Sequence, residues 1–78
     1  MKIKLSVAQK QVAIYTPFIK LDELLKFASA VLSGGEAKEV IQGGKVEYNG
    51  EICTMRGKKV YPGDTVKYGG IVYEVVSQ

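Results

Sequence analysis

Arg56, Lys58 and Lys59 stand almost side by side in Arg56-Gly57-Lys58-Lys59, and Lys20, Lys26, Lys38 and Lys45 are spread over the segment before them. A guanidinium forks onto phosphate oxygens, while ammonium groups attract them as point charges. A four-residue charge run is by itself an ordinary solvated loop. Its meaning depends on whether the fold gathers the other lysines beside it. Ser33-Gly34-Gly35-Glu36 is a second candidate. Free N–H groups at a glycine-rich helix start attract anions, yet Ser33 and Glu36 can occupy those donors themselves. Both readings stay open at this point.

Catalytic chemistry has little to stand on. The chain has no histidine and one cysteine, Cys53. The usual general base is therefore missing, an internal disulfide is impossible, and the usual zinc ligand sets cannot be assembled. Asp22 with Glu23, and Glu36 with Glu39, resemble paired carboxylates, but at helix starts their ordinary work is capping and solvation. The phosphate-loop pattern G-x-x-x-x-G-K-[ST] is absent. Gly69-Gly70 is followed by eight residues, so it reads as a turn rather than a carrier's tail. The expectation is a non-enzymatic protein with no cofactor, no metal and no small-molecule substrate.

With 78 residues, 46% hydrophobic and 24% charged, the chain has the composition of one folded domain. The net charge of +3 is unevenly distributed. Residues 1–20 carry four lysines and no acid, residues 21–55 three lysines against six acids, and residues 56–78 four basic residues against two acids. The apolar run after Met1-Lys2-Ile3-Lys4-Leu5 is broken by Gln9, Lys10 and Gln11, which argues against a signal peptide. The stretch around Phe27 to Leu32 is too short for a membrane span. These features suggest a cytoplasmic protein with an anionic partner.

The elements that would position the cations follow from periodicity. Lys2 to Val7 alternates polar and apolar, and Gln11 to Tyr15 does so less cleanly, as a short hairpin or one irregular strand. Leu21, Leu24, Leu25, Ala28, Val31 and Leu32 fall on one face of a helix of about three turns. Ser33 and Glu36 form a capping box opening a second helix of about two turns, stopped by Gly43-Gly44. Asn49-Gly50 signals a hairpin. A three-residue loop is expected there, because it would put Val46 and Ile52 on one face. Pro62-Gly63-Asp64 is a turn, and Gly69-Gly70 closes a last hairpin. The fold class is α+β, two short helices packed on a small, mostly antiparallel sheet.

Lys20-Leu21-Asp22, Ser33-Gly34-Gly35-Glu36-Ala37-Lys38, Ile41, Gly44, Val46, Tyr48-Asn49-Gly50 and Pro62-Gly63-Asp64 together resemble the RNA-binding domain named after ribosomal small-subunit protein S4. The usual pattern there is R-L-D, S-R-x-x-A, an Ile, G-x-V-x-V-N-G and P-G-D. The match spans about residues 19–68, with an N-terminal strand or hairpin at 2–15 and a C-terminal hairpin at 64–76. The spelling S-G-G-E-A-K followed by R-G-K-K is most similar to small stand-alone bacterial members, without an attached catalytic body. The resemblance implies a basic face for structured RNA, ribosomal RNA or ribosomal particles, and a place in ribosome assembly. The resemblance carries Lys20, Ser33, Lys38 and Asn49 into that face, and the reading of charge and position adds Lys26, Gly34, Lys45, Arg56, Lys58 and Lys59. Gly34 departs from the family's arginine, and Tyr48 from its valine. Aromatic stacking is expected to be minor, most of the tyrosines occupying strand positions suited to a core. A protein-interaction adaptor using the same fold is the competing reading.

Overall fold

A computed structural model describes residues 8–78 of the chain. In chain order it contains β1 (Ala8–Ile14), β2 (Ile19–Lys20), α1 (Leu21–Phe27), α2 (Gly34–Gln42), β3 (Glu47–Tyr48), β4 (Glu51–Ile52), β5 (Lys59–Val60), β6 (Thr65–Tyr68) and β7 (Ile71–Ser77). The first sheet has the order β1-β7-β6-β3-β4, and β2 with β5 forms a separate two-stranded ribbon. Leu21, Leu24 and Leu25 of α1 and Ala37 and Ile41 of α2 are fully buried with Val46, Val60, Val66 and Val75. The architecture is α+β, as its sequence pattern implies.

Most pairings are antiparallel, but β1 lies parallel to β7, from Ala8 opposite Ile71 to Ile14 opposite Ser77. Gln9, Lys10 and Gln11 belong to this continuous strand, so the hairpin alternative with a turn there is not what the chain adopts. The expected strand at 2–7 falls outside the described residues.

The first helix is shorter than its apolar spacing predicts. Ser29 takes a left-handed φ of 60°. Its N–H donates to the Lys26 carbonyl at 3.0 Å, and the Ala30 N–H to that of Leu25 at 2.8 Å. This pair of bonds is the Schellman termination, usually built on glycine. The chain leaves the helix after Phe27, so Val31 still reaches the core while Leu32, expected on the apolar face, is 94% exposed. α2 ends by the same device on Gly44, at φ 76°. There the Gly44 N–H donates to Ile41 at 3.1 Å, and that of Lys45 to Val40 at 3.0 Å.

The hairpin register also differs from expectation. Glu47 faces Ile52 and Tyr48 faces Glu51, leaving a two-residue loop. Asn49 and Gly50 both have positive φ, at 50° and 90°. That is the type I′ turn whose twist matches the strands it joins. The inward position opposite Val46 goes to Cys53, whose N–H donates to the Val46 carbonyl at 3.0 Å. Ile52 is turned outward and is 65% exposed.

Candidate nucleic-acid interface

α1 begins without a side-chain cap, since Lys20 precedes it in extended backbone and makes no capping bond. The first free N–H groups of a helix need acceptors. Here the basic loop supplies them. Leu21 N–H donates to the Lys58 carbonyl at 2.8 Å, and Asp22 N–H to that of Arg56 at 3.1 Å. A turn closed from Lys58 N–H to the Met55 carbonyl at 3.1 Å shapes the loop itself. Its backbone is therefore bonded to the helix start, and Arg56, Lys58 and Lys59 are held beside Lys20.

The ribbon tightens this arrangement. Ile19 pairs with Val60 and Lys20 with Lys59. Val60 is fully buried and Ile19 packs on the core, so alternation turns both lysines outward, where they are exposed. Like charges directly opposite across a strand pair are unfavourable. Phe18 and Tyr61 continue the same outward face, with ring centroids 5.8 Å apart and planes inclined at 51°. Lys59 Nζ lies 4.9 Å above the Phe18 ring. Tyr61 is 47% exposed and Tyr15 is also exposed, so the expectation that most tyrosines serve the core holds for Tyr73, Tyr48 and Tyr68 but not for these two.

A second group of cations lies at the other end of α1. A Cβ placed on Gly34 would stand 3.9 Å from Lys26 Nζ, which puts that ammonium at the start of α2. Lys38 is exposed four residues along, on the same helix face as Gly34. Ser33 Oγ accepts from Glu36 N–H at 3.1 Å. The reciprocal bond differs from a standard capping box: Glu36 Oε1 accepts from Leu32 N–H at 2.9 Å. Lys45 is exposed just past α2, where its helix-ending bond to Val40 places it. The contacts thus join Lys20, Arg56, Lys58 and Lys59 in one group and Lys26, Gly34 and Lys38 in another. Among the described residues none links Lys45 to either.

Two further residues are committed to the scaffold. Asn49 Oδ1 accepts from Thr65 N–H at 2.8 Å and its Nδ2 donates to Asp64 Oδ1 at 3.3 Å. Its amide thus holds the hairpin rather than standing free. Lys58 is half-buried, with Nζ 4.9 Å above the Tyr48 ring. Tyr48 Oη donates to Asp64 Oδ2 at 2.6 Å. That bond and the neighbouring carboxylate push the Tyr48 pKa up to about 12. Burial pushes the Asp64 carboxyl up, but donation from Tyr48, Tyr61 N–H and Asn49, with the charge of Lys58, holds it below the usual value. No sequence motif marks this cluster, nor the pairing of Phe18 with Tyr61. The alternation in Phe18-Ile19-Lys20 and Lys59-Val60-Tyr61 was the available signal for the ring pair.

Two helices, a tight hairpin and a basic loop bonded to the first helix make up the part of the fold that carries the candidate cations. The S4 domain model matches residues 12–76, and the chain belongs to that family of RNA-binding modules, as a non-catalytic member. It is 39% identical over 59 residues to the probable ribosome maturation protein RlbA of Bacillus subtilis, covering 76% of this chain and 83% of that one. It is 34% identical over 61 residues to the putative RNA-binding protein YbcJ of Escherichia coli, covering 78% and 87%. The solution structure of E. coli YbcJ, described as revealing an αL motif involved in RNA binding, superposes with a TM-score of 0.63. That superposition covers 97% of this chain and 95% of the other at 29% identity.

Proposed function

We propose that the protein binds structured ribosomal RNA, or a ribosome-assembly intermediate containing it, in the cytoplasm. Its contact face would comprise Lys20, Lys26, Ser33, Gly34, Lys38, Lys45, Asn49, Arg56, Lys58 and Lys59. The observation that carries this reading is Lys20 held opposite Lys59, with the Arg56–Lys58 backbone bonded to the start of α1. A fold that keeps like charges together at a cost gains from an anion between them. The names of the B. subtilis and E. coli relatives, a ribosome maturation protein and an RNA-binding protein, support the choice of anion. Backbone charge and shape dominate such recognition, because paired RNA hides its base edges in a deep, narrow groove.

Filter binding to ribosomal RNA fragments across a salt series tests the reading. Each phosphate neutralised contributes roughly 0.7–0.9 to the slope of log affinity against log salt. Replacing Arg56, Lys58 and Lys59 together by alanine is expected to flatten the slope by roughly two to three such increments. A flat salt dependence in the unmodified protein overturns it. Exposed Leu32 and Phe27 favour the adaptor reading instead. Capture of a ribosomal protein that survives nuclease treatment and is lost in Leu32→Ser would support that alternative.

A further inference from the structure

The outward face of the β2–β5 ribbon carries more than charge. Phe18 and Lys20 on one strand and Lys59 and Tyr61 on the other are alternate residues, so all four side chains emerge on the side away from buried Val60. Strands lie roughly 5 Å apart and alternate residues roughly 7 Å apart along each. The four positions thus cover about the footprint of one nucleotide. Two rings stand in contact at one end of that footprint, the Lys20–Lys59 pair is at the other, and the Lys59 ammonium reaches back over the Phe18 ring.

We infer that this face is a stacking seat for an unpaired nucleotide of the bound RNA, its base lying on the exposed Tyr61 ring with the inclined Phe18 ring against its edge, and its flanking phosphates on Lys20 and Lys59. The inference rests on the RNA-binding reading and adds to it which part of an RNA is selected. A wholly paired helix has its bases stacked on one another and offers the rings only sugar and phosphate. A bulged or looped base has a free π face, and stacking on an aromatic side chain is tolerant of base identity. The cations fit the same ligand. Lys59 Nζ, already over the Phe18 ring, sits where a phosphate beside the stacked base would meet it. Lys20, opposite, gains an anion to offset its like-charged neighbour.

The test compares two RNAs in the full chain by fluorescence anisotropy: a fully paired duplex, and the same duplex carrying a single-stranded bulge. The unmodified protein is expected to prefer the bulged RNA. Phe18→Leu with Tyr61→Leu, which keeps apolar bulk over the core, is expected to weaken bulged-RNA binding by roughly 5- to 150-fold and leave duplex binding where it was. The chain has no tryptophan, so Tyr61→Trp gives a direct reporter. Its emission is expected to be quenched by the bulged RNA and not by the duplex, and it serves alone if the double variant does not fold. Equal losses on both RNAs, no loss on either, or an unquenched Trp overturns the stacking seat while leaving the RNA-binding reading intact. Failure of the unmodified protein to bind any RNA overturns both. Loss of a nuclease-resistant protein partner, with RNA binding unchanged, reassigns the face to protein contact and overturns the seat.

Discussion

Asp64 is surrounded by donors: Tyr48 Oη and Tyr61 N–H on one carboxylate oxygen, at 2.6 and 2.9 Å, and Asn49 Nδ2 on the other. An asparagine there would turn an N–H₂ group toward at least one of them, so Asp64→Asn is expected to cost about 1–2 kcal/mol at neutral pH. The carboxyl is held below its ordinary pKa. Its stabilising contribution is therefore complete above the unfolded-state value of about 3.9 and is lost as pH falls through the folded-state value. Denaturant melts at a series of pH values should show the gap between the two proteins widest above about pH 4 and closing below it. Gly34 invites the opposite experiment. A side chain there meets only ordinary contact with Lys26 Nζ. Gly34→Arg is expected to steepen the salt slope of RNA binding by roughly 0.7–0.9 in the same filter-binding series, while repulsion from Lys26 and Lys38 at the helix start offsets the gain in stability from replacing glycine.

The length of α1 depends on one residue in left-handed backbone, and that of the β3–β4 loop on two, Asn49 and Gly50. Ser29 ends α1 at φ 60° without being glycine. Ser29→Gly is expected to raise stability by about 1 kcal/mol, while Ser33→Ala, which removes the cap of α2, should lower it by about 1 kcal/mol. Thermal melts of the two variants measure both. The same residues explain how much of the fold was legible in the sequence. Ser33 and Glu36, Gly43-Gly44, Asn49-Gly50 and Pro62-Gly63-Asp64 act on backbone within a few residues, so the elements they open and close could be read. Ser29 has no local signal of that kind, and the apolar spacing runs past it to Leu32. The Asn49-Gly50 loop length is not legible from hydrophobicity, because Ile52 is the larger hydrophobe while Cys53 takes the inward place opposite Val46. Of the candidate site, the Arg56–Lys59 loop was visible as a charge run. Its bonds to Leu21 and Asp22 join residues more than thirty positions apart, which no local pattern reveals.

At the scale of the molecule, the two helices and the ribbon carry the cations, and the five-stranded sheet braces them. The longest pairing in that sheet joins β1 to β7, seven residues on each strand, and Gln78 N–H extends it by donating to the Ile14 carbonyl at 3.0 Å. Loosening β7 at Val75→Ala is expected to speed amide exchange in β1 as much as in β7, and less in α2, a pattern that hydrogen-exchange mass spectrometry can read. The parallel pairing also imposes an order on biosynthesis. β1 is made before the helices and the hairpin, its partner β7 after them, and parallel strands require such a long intervening connection. The helices and the β3–β4 hairpin, whose contacts are closer in sequence, can form while β1 waits. The newborn chain thus holds β1 unpaired until β7 has been made, and closure of this edge of the sheet follows the synthesis of β7 rather than that of the helices.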